Sequence, residues 1–149
     1  LKKKYKGIVY KRREKMTLMQ ARRYIQTGIL PFDTQIMREI DWVIRAYGDI
    51  KPVIYISYER EAYFAASDDA LRMTFDHNLL YRTQDLTLTH GAYGIPILPG
   101  GQIVLEIKAL GAMPLWLADA LDNAKIYPSS FSKYGTAYCM DLTKEALYA

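Results

Sequence analysis

Tyr55-Ile56-Ser57-Tyr58-Glu59-Arg60-Glu61-Ala62-Tyr63-Phe64, then a polar stretch at Ala65–Ala70, then Leu71-Arg72-Met73-Thr74-Phe75-Asp76, together read as a β-hairpin with charges set into apolar strands. The first strand is predicted over Lys51–Phe64, rich in Val, Ile and Tyr, and the second over Leu71–Tyr81. Successive strand side chains point to opposite faces, so Tyr58 shares a face with Arg60, and Arg72 with Thr74 and Asp76. An Arg in the middle of an apolar strand is either paired or faces a polar cavity. Glu59, Glu61 or an acid on the neighbouring strand is the structural partner to expect for Arg60. One Arg–Asp pair across the hairpin is structural; Arg60 and Arg72 against Asp76 leave positive charge in surplus.

The same habit recurs outside the hairpin. Leu1–Tyr5 and Ile8–Arg13 read as strands joined at Tyr5-Lys6-Gly7, and strand parity puts Lys2 with Lys4 and Lys11 with Arg13. Edge strands favour Lys, which accounts for Lys3, Lys6, Arg12 and Lys15 but less well for the same-face set Lys2, Lys4, Lys11 and Arg13. Glu106 and Lys108 share a face of the most hydrophobic strand, Gln102–Leu110. Glu106 reads either as the partner of Lys108 or of an Arg across the sheet, or as a hard oxygen ligand for Mg²⁺ or Mn²⁺. A sheet lined with cations and at least one carboxylate suits a polyanion, and a phosphate chain with a divalent metal is the natural candidate.

Thr17-x-x-Gln20 is a capping box opening a helix over Leu18–Thr27, with Gly28 as its stop. A second helix runs from Asp33 or Thr34 to Tyr47, where Ile36, Met37, Ile40, Val43 and Ile44 form a core stripe, before a turn at Gly48-Asp49. Thr83–Gly101 reads as a long connection with a short strand around Leu86–Thr89. Met113–Ala124 is a helix with Pro114 at its first turn, and Phe131 to Tyr148 is mostly helical. Hairpin-connected strands with helices in separate blocks predict an α+β fold with an antiparallel sheet in one domain spanning the chain. No Gly-rich phosphate loop occurs. Ser130-Phe131-Ser132-Lys133-Tyr134 reads as an ordinary capped helix start or as a Ser-capped anion site with Lys133 beside it. His77 and His90 lack metal-ligand spacing.

The 149 residues carry 20 basic and 16 acidic side chains, an excess too small to indicate nucleic acid. Thirteen Tyr against four Phe suits half-buried strands with hydroxyls at a wet surface. A single cysteine, Cys139, excludes an internal disulfide and reads as a small buried apolar side chain in a reducing, cytoplasmic compartment. No apolar run has the length of a membrane span. A chain beginning Leu-Lys-Lys-Lys inside a strand, without an initiating Met, is expected to continue upstream.

Taken in order, Lys2-Lys3-Lys4 with Val9-Tyr10-Lys11-Arg12-Arg13, Ser57-Tyr58-Glu59-Arg60, Leu71-Arg72-Met73-Thr74-Phe75-Asp76, Leu105-Glu106-Ile107-Lys108 and Ser130-Phe131-Ser132-Lys133-Tyr134 resemble the VTC (vacuolar transporter chaperone) domain. That domain is a branch of the triphosphate tunnel metalloenzymes. The resemblance implies an antiparallel sheet forming part of a tunnel-like barrel with flanking helices, here its C-terminal part without the first strands. It implies Mn²⁺ or Mg²⁺ as cofactor, and polyphosphate, triphosphate or ATP as partner. By position, Lys2 resembles the lysine of a Glu-x-Lys strand whose glutamate would precede Leu1, and Lys11 the phosphate-binding lysine of the returning strand. Tyr58 and Arg60 resemble the family's Tyr-x-Arg, Glu106 its metal-binding glutamate, and Ser132-Lys133 its terminal phosphate-binding pair. Arg13, Arg72 and Lys108 extend the set by strand parity, Lys4 joins the phosphate-binding residues beside Lys2, and Lys11, Arg60 and Glu106 are the catalytic candidates. The implied activity is polyphosphate polymerase-like phosphoryl transfer. The alternatives are a triphosphate hydrolase and a non-catalytic polyphosphate or nucleotide sensor. A segment or second chain completing the tunnel is expected, with the fragment inactive by itself.

Overall fold

The computed structural model describes the chain apart from Gly7, Asp49, Ser67 and Ala149, and apart from the side chains of Lys4, residues 68–70 and residues 144–148. It is α+β, with antiparallel sheets and helices in separate blocks, and it divides into two compact units, Leu1–Lys51 and Pro52–Ala149.

In the first unit β1 (Lys2–Tyr5) and β2 (Ile8–Lys11) form the expected hairpin, with Lys2 opposite Lys11 and Lys3 opposite Tyr10. Arg12 still exchanges both backbone hydrogen bonds with Leu1, at 2.9 Å each. Arg13 lies past that pair and outside β2, so strand parity does not place it beside Lys11 as expected. α1 (Leu18–Thr27) starts on the Thr17–Gln20 capping box and stops at Gly28, whose φ of +69° is left-handed. α2 (Gln35–Tyr47) is capped by Thr34 and ends at Gly48. Of its apolar stripe Met37 is buried, Ile36, Ile40 and Val43 are half-buried, and Ile44 at the far end is exposed. Glu39 of α2 binds Lys3 and Arg12 of the hairpin, each at 2.5 Å, and the two cations hold its pKa down to about 2, Arg12 first.

The second unit is built on β4 (Asp68–Arg82), fifteen residues long, which pairs antiparallel with β3 (Tyr55–Ala65) along one edge. β5 (Ile95–Pro96) and β6 (Val104–Lys108) also pair with β4, at its two ends. Among the described residues the sheet does not close on itself. β3 begins four residues later than predicted, because Pro52 lacks an N–H for the ladder. β4 is longer than predicted at both ends, which shortens the turn.

The short strand expected at Leu86–Thr89 lies instead at Ile95–Pro96. Arg82 explains the difference. Its guanidinium, 5% exposed and between the rings of Tyr55 and Tyr93, donates to the carbonyls of Asp85, Thr87, Gly91 and Tyr93 at 2.6–3.1 Å. Backbone acceptors wrapped around one cation are not available to a strand partner. Asp85 completes the loop, accepting from the Tyr93 hydroxyl and lying 2.9 Å from His90 Nδ1.

β4 carries one extra residue between the Ser57–Leu80 and Glu59–His77 pairs, a bulge in which Asn78 takes a φ of +48° and bonds Glu59 at 2.9 Å. Without it, Leu79 and Tyr81 would face away from Asp76; with it they share its face. There Leu79 and Tyr81 pack with Ile97 and with Ala137 of α4 (Lys133–Tyr148), flanked by Ile56, Val104 and Met140. Ser132 caps α4, its Oγ accepting from the Gly135 N–H at 3.1 Å. α3 (Leu115–Asn123) starts directly after Pro114. Cys139 on α4 is exposed rather than buried as expected, because the buried face of the helix is the Ala137 side. No helix among the described residues is long and apolar enough to cross a membrane.

Gly94 sits at a φ of +150°, and a Cβ there would lie 2.3 Å from the Tyr81 carbonyl oxygen. Gly94→Ala is expected to destabilise the second unit by about 2 kcal/mol or more, since strain and overpacking coincide against backbone. Denaturant melts of the two proteins measure it, and equal midpoints would mean that β5 does not need its close approach to β4.

Candidate functional site

Cross-strand partners share a face, so the register of β4 with its neighbours decides which charges meet. On the β3 side Arg60 is opposite Asp76, Ala62 opposite Thr74 and Phe64 opposite Arg72. On the β6 side Arg72 is opposite Lys108, Thr74 opposite Glu106 and Asp76 opposite Val104. Tyr58, Arg60, Arg72, Thr74, Asp76, Glu106 and Lys108 therefore occupy one face of the sheet, the face that α4 covers at its apolar end.

Asp76 is the centre of this group and has no exposed surface. Arg60 forks onto it, Nε to Oδ1 at 2.6 Å and Nη2 to Oδ2 at 2.7 Å. Lys133, the first residue of α4, reaches the same Oδ2 at 2.6 Å. Arg60 holds the Asp76 carboxyl below its ordinary pKa, against the opposing effect of burial, with Lys133 adding to the lowering. The hydrogen bond to Asp76 in turn raises the pKa of Arg60. The cations keep an outward side: 32% of the Arg60 side chain and 22% of Lys133 are exposed. Both lie over the Tyr58 ring, at 5.0 and 4.7 Å from its centroid, a further electrostatic attraction.

Glu106 is the exposed carboxylate of the face. Lys108 lies 2.9 Å from its Oε1 and lowers its pKa most, with Arg60 and Lys133 contributing through space. Arg72 stacks over Phe64, and its buried Nε has no hydrogen-bond partner among the described residues. The Thr74 hydroxyl, between them, is likewise buried without a partner among those residues. Among the described residues, four cations against two carboxylates leave two positive charges in surplus on this face. Ser132 is exposed beside Lys133, its Oγ engaged as a helix cap.

Of the residues singled out in the sequence, the structure thus brings together Tyr58, Arg60, Arg72, Glu106 and Lys133, with Ser132 next to the last. Lys2 and Lys11 are exposed partners on one face of the hairpin in the other unit, where Arg13 is also exposed; the Lys4 side chain lies outside the described residues. Asp76 was legible only as a possible partner for an Arg. Its double attachment depends on α4 arriving from more than fifty residues further along the chain, which no local pattern announces.

Over residues 1–140 the sequence matches the VTC domain family. The chain belongs to that family. No curated protein and no solved structure gives a significant match. Membership ties this VTC-domain chain to polyphosphate-related function in general.

A carboxylate whose folded-state pKa is depressed stabilises the fold fully above its unfolded pKa, near 4, and loses that contribution as pH falls through the folded value. For Asp76 the stability supplied by Arg60 and Lys133 is therefore present at neutral pH and lost below about pH 4. Urea melts of wild type and Asp76→Asn from neutral to acid pH should differ most at pH 7 and converge towards acid. A gap that stayed constant with pH would show that ionisation of Asp76 contributes nothing.

Proposed function

We propose that this VTC-family chain binds triphosphate, polyphosphate or the phosphates of ATP on the charged face of its second unit, as part of a triphosphate tunnel. The observation that carries the reading is the gathering of Arg60, Arg72, Lys108 and Lys133 on one sheet face, where buried Asp76 engages only part of the donor sets of Arg60 and Lys133. Arg60 and Lys133 would meet phosphate oxygens by charge-assisted hydrogen bonds, and Tyr58 would orient a phosphate through its hydroxyl. Ser132 sits where the first-turn amides of α4 add positive potential. Lys2, Lys4, Lys11 and Arg13 are proposed as further phosphate ligands from the first hairpin.

The donor chemistry fits Mn²⁺ or Mg²⁺. Such ions are commonly held by one or two carboxylates plus substrate phosphates and water, and Glu106 is a half-exposed hard oxygen donor on the right face. Among the described residues no group of three or more His, Cys, Asp or Glu side chains is placed to hold an ion, so phosphate oxygens would complete the shell. When bound, the metal supplies charge neutralisation on the phosphates. The residues of the chain position the phosphates and stabilise charge, which is most of what phosphoryl transfer requires of a protein. Arg60 and Glu106 on this face, and Lys11 on the first hairpin, are each proposed as catalytic residues, and polyphosphate polymerase-like transfer from ATP is the favoured reaction, with triphosphate hydrolysis differing only in the acceptor.

A polyphosphate- or nucleotide-sensing module is the second reading. The openness of the sheet favours it, because electrostatic catalysis works best in an enclosed, water-poor site. Calorimetric titration of tripolyphosphate, with and without Mn²⁺, tests the binding common to both. Affinity should fall with added salt, and Arg60→Ala or Lys133→Ala should weaken it roughly tenfold or more. Unchanged affinity in both variants would mean that the cations are structural. Polyphosphate accumulation from ATP then supports the polymerase, whereas binding without turnover supports the sensor.

A further inference from the structure

We infer that Asp76 is a positioning residue for anion binding, setting the separation and orientation of Arg60 and Lys133 while itself staying out of reach of ligand. The inference rests on the phosphate-binding reading and goes beyond it by assigning a role to the one carboxylate of the face that cannot touch a ligand.

Three features set Asp76 apart from an ordinary cross-strand bridge. First, an Arg–Asp pair between β3 and β4 needs nothing more, and here both carboxylate oxygens are already occupied by the fork from Arg60. Lys133 comes in addition, from the start of α4, onto an oxygen that Arg60 already uses. One buried oxygen thus holds two cationic nitrogens from different elements within two hydrogen-bond lengths of each other, a spacing their mutual repulsion would otherwise oppose. Secondly, the carboxylate is fully buried while the side chains of both cations remain partly exposed. Thirdly, the bonds to Asp76 use only part of each donor set. Arg60 spends Nε and one Nη2 hydrogen, leaving its Nη1 edge, and Lys133 spends one of three ammonium hydrogens. The remaining donors belong to two charges held at a common distance, the arrangement that bridges neighbouring oxygens of a phosphate. Side-chain freedom that a ligand would otherwise have to quench is already lost.

Positioning and simple electrostatics predict opposite signs when the carboxylate is neutralised. Asp76→Asn makes the face more positive by one charge, which by Coulomb attraction alone tightens polyanion binding. If Asp76 positions the cations, binding weakens.

The test is calorimetric titration of tripolyphosphate into wild type, Asp76→Asn, Asp76→Glu, Arg60→Ala and the Arg60→Ala/Asp76→Asn double variant, with thermal melts confirming that each is folded at the assay temperature. The expected result is a loss of roughly tenfold in affinity for Asp76→Asn, shrinking to within about threefold when Arg60 is already absent, because with one of the two cations gone the carboxylate has no separation left to set. A merely structural role lowers the melting temperature and leaves the affinity of the folded variant where it was. Asp76→Asn binding as tightly as wild type or tighter, or losing as much affinity in the Arg60→Ala background as in wild type, overturns the inference while leaving the phosphate-binding reading standing. Wild type that does not bind tripolyphosphate overturns both. If Asp76→Asn does not fold, Asp76→Glu decides: it keeps the charge and displaces both cations by a methylene, so a loss of severalfold supports positioning and an unchanged affinity refutes it.

Discussion

The buried carboxylate of Asp76 joins three elements, taking Arg60 from β3, lying itself in the middle of β4, and receiving Lys133 from the first turn of α4. Removing a carboxylate from water costs several kcal/mol, and only close pairing with further hydrogen bonds offsets it. Here two cations and three hydrogen bonds do so, and the outcome is specific geometry more than net stability. As α4 is docked, Lys133 meets Asp76 while Ala137 meets Leu79 and Tyr81.

That docking depends on the bulge at Asn78. Strand parity is strict, so a face that carries Arg72, Thr74 and Asp76 would stay in phase with Leu80 and Arg82 if β4 ran regularly. The extra residue shifts the phase and turns Leu79 and Tyr81 onto the charged face instead. One face of one sheet thereby carries an apolar half that binds a helix and a cationic half that the helix leaves open. Arg82, released from that face, turns into the following loop and orders it through four carbonyls, which is why Gly94 can bring β5 against the Tyr81 backbone.

The chemistry of the face follows from this division. Burial falls on Asp76 and Thr74, while Glu106 and the outer edges of Arg60 and Lys133 stay wet. Among the described residues the face carries more cations than exposed carboxylates, which suits an anion better than a neutral ligand. Family membership ties the chain to polyphosphate-related function in general, and a face with surplus positive charge is compatible with it.

Much of the fold was legible in the sequence because its signals are local. The Thr17–Gln20 box and Gly28 bound α1, Thr34 and Gly48 bound α2, and period-two charge in apolar runs located the hairpin and β6. Parity likewise put Tyr58 with Arg60, and Glu106 with Lys108, before any strand was paired. What parity cannot supply is register between strands, and register alone brought Arg60 to Asp76 and Glu106 to Thr74. No strand forms at Leu86–Thr89, where a buried guanidinium takes the Thr87 carbonyl and those of flanking Asp85, Gly91 and Tyr93, a contact set by burial rather than by propensity. The sequence by itself determined which segments would be strands and helices and that their charges would lie on shared faces, since backbone periodicity imposes both. Only the tertiary structure decided that a bulge would turn the core and the cations to one side and that α4 would bring Lys133 to a buried carboxylate, because these depend on contacts between residues distant along the chain.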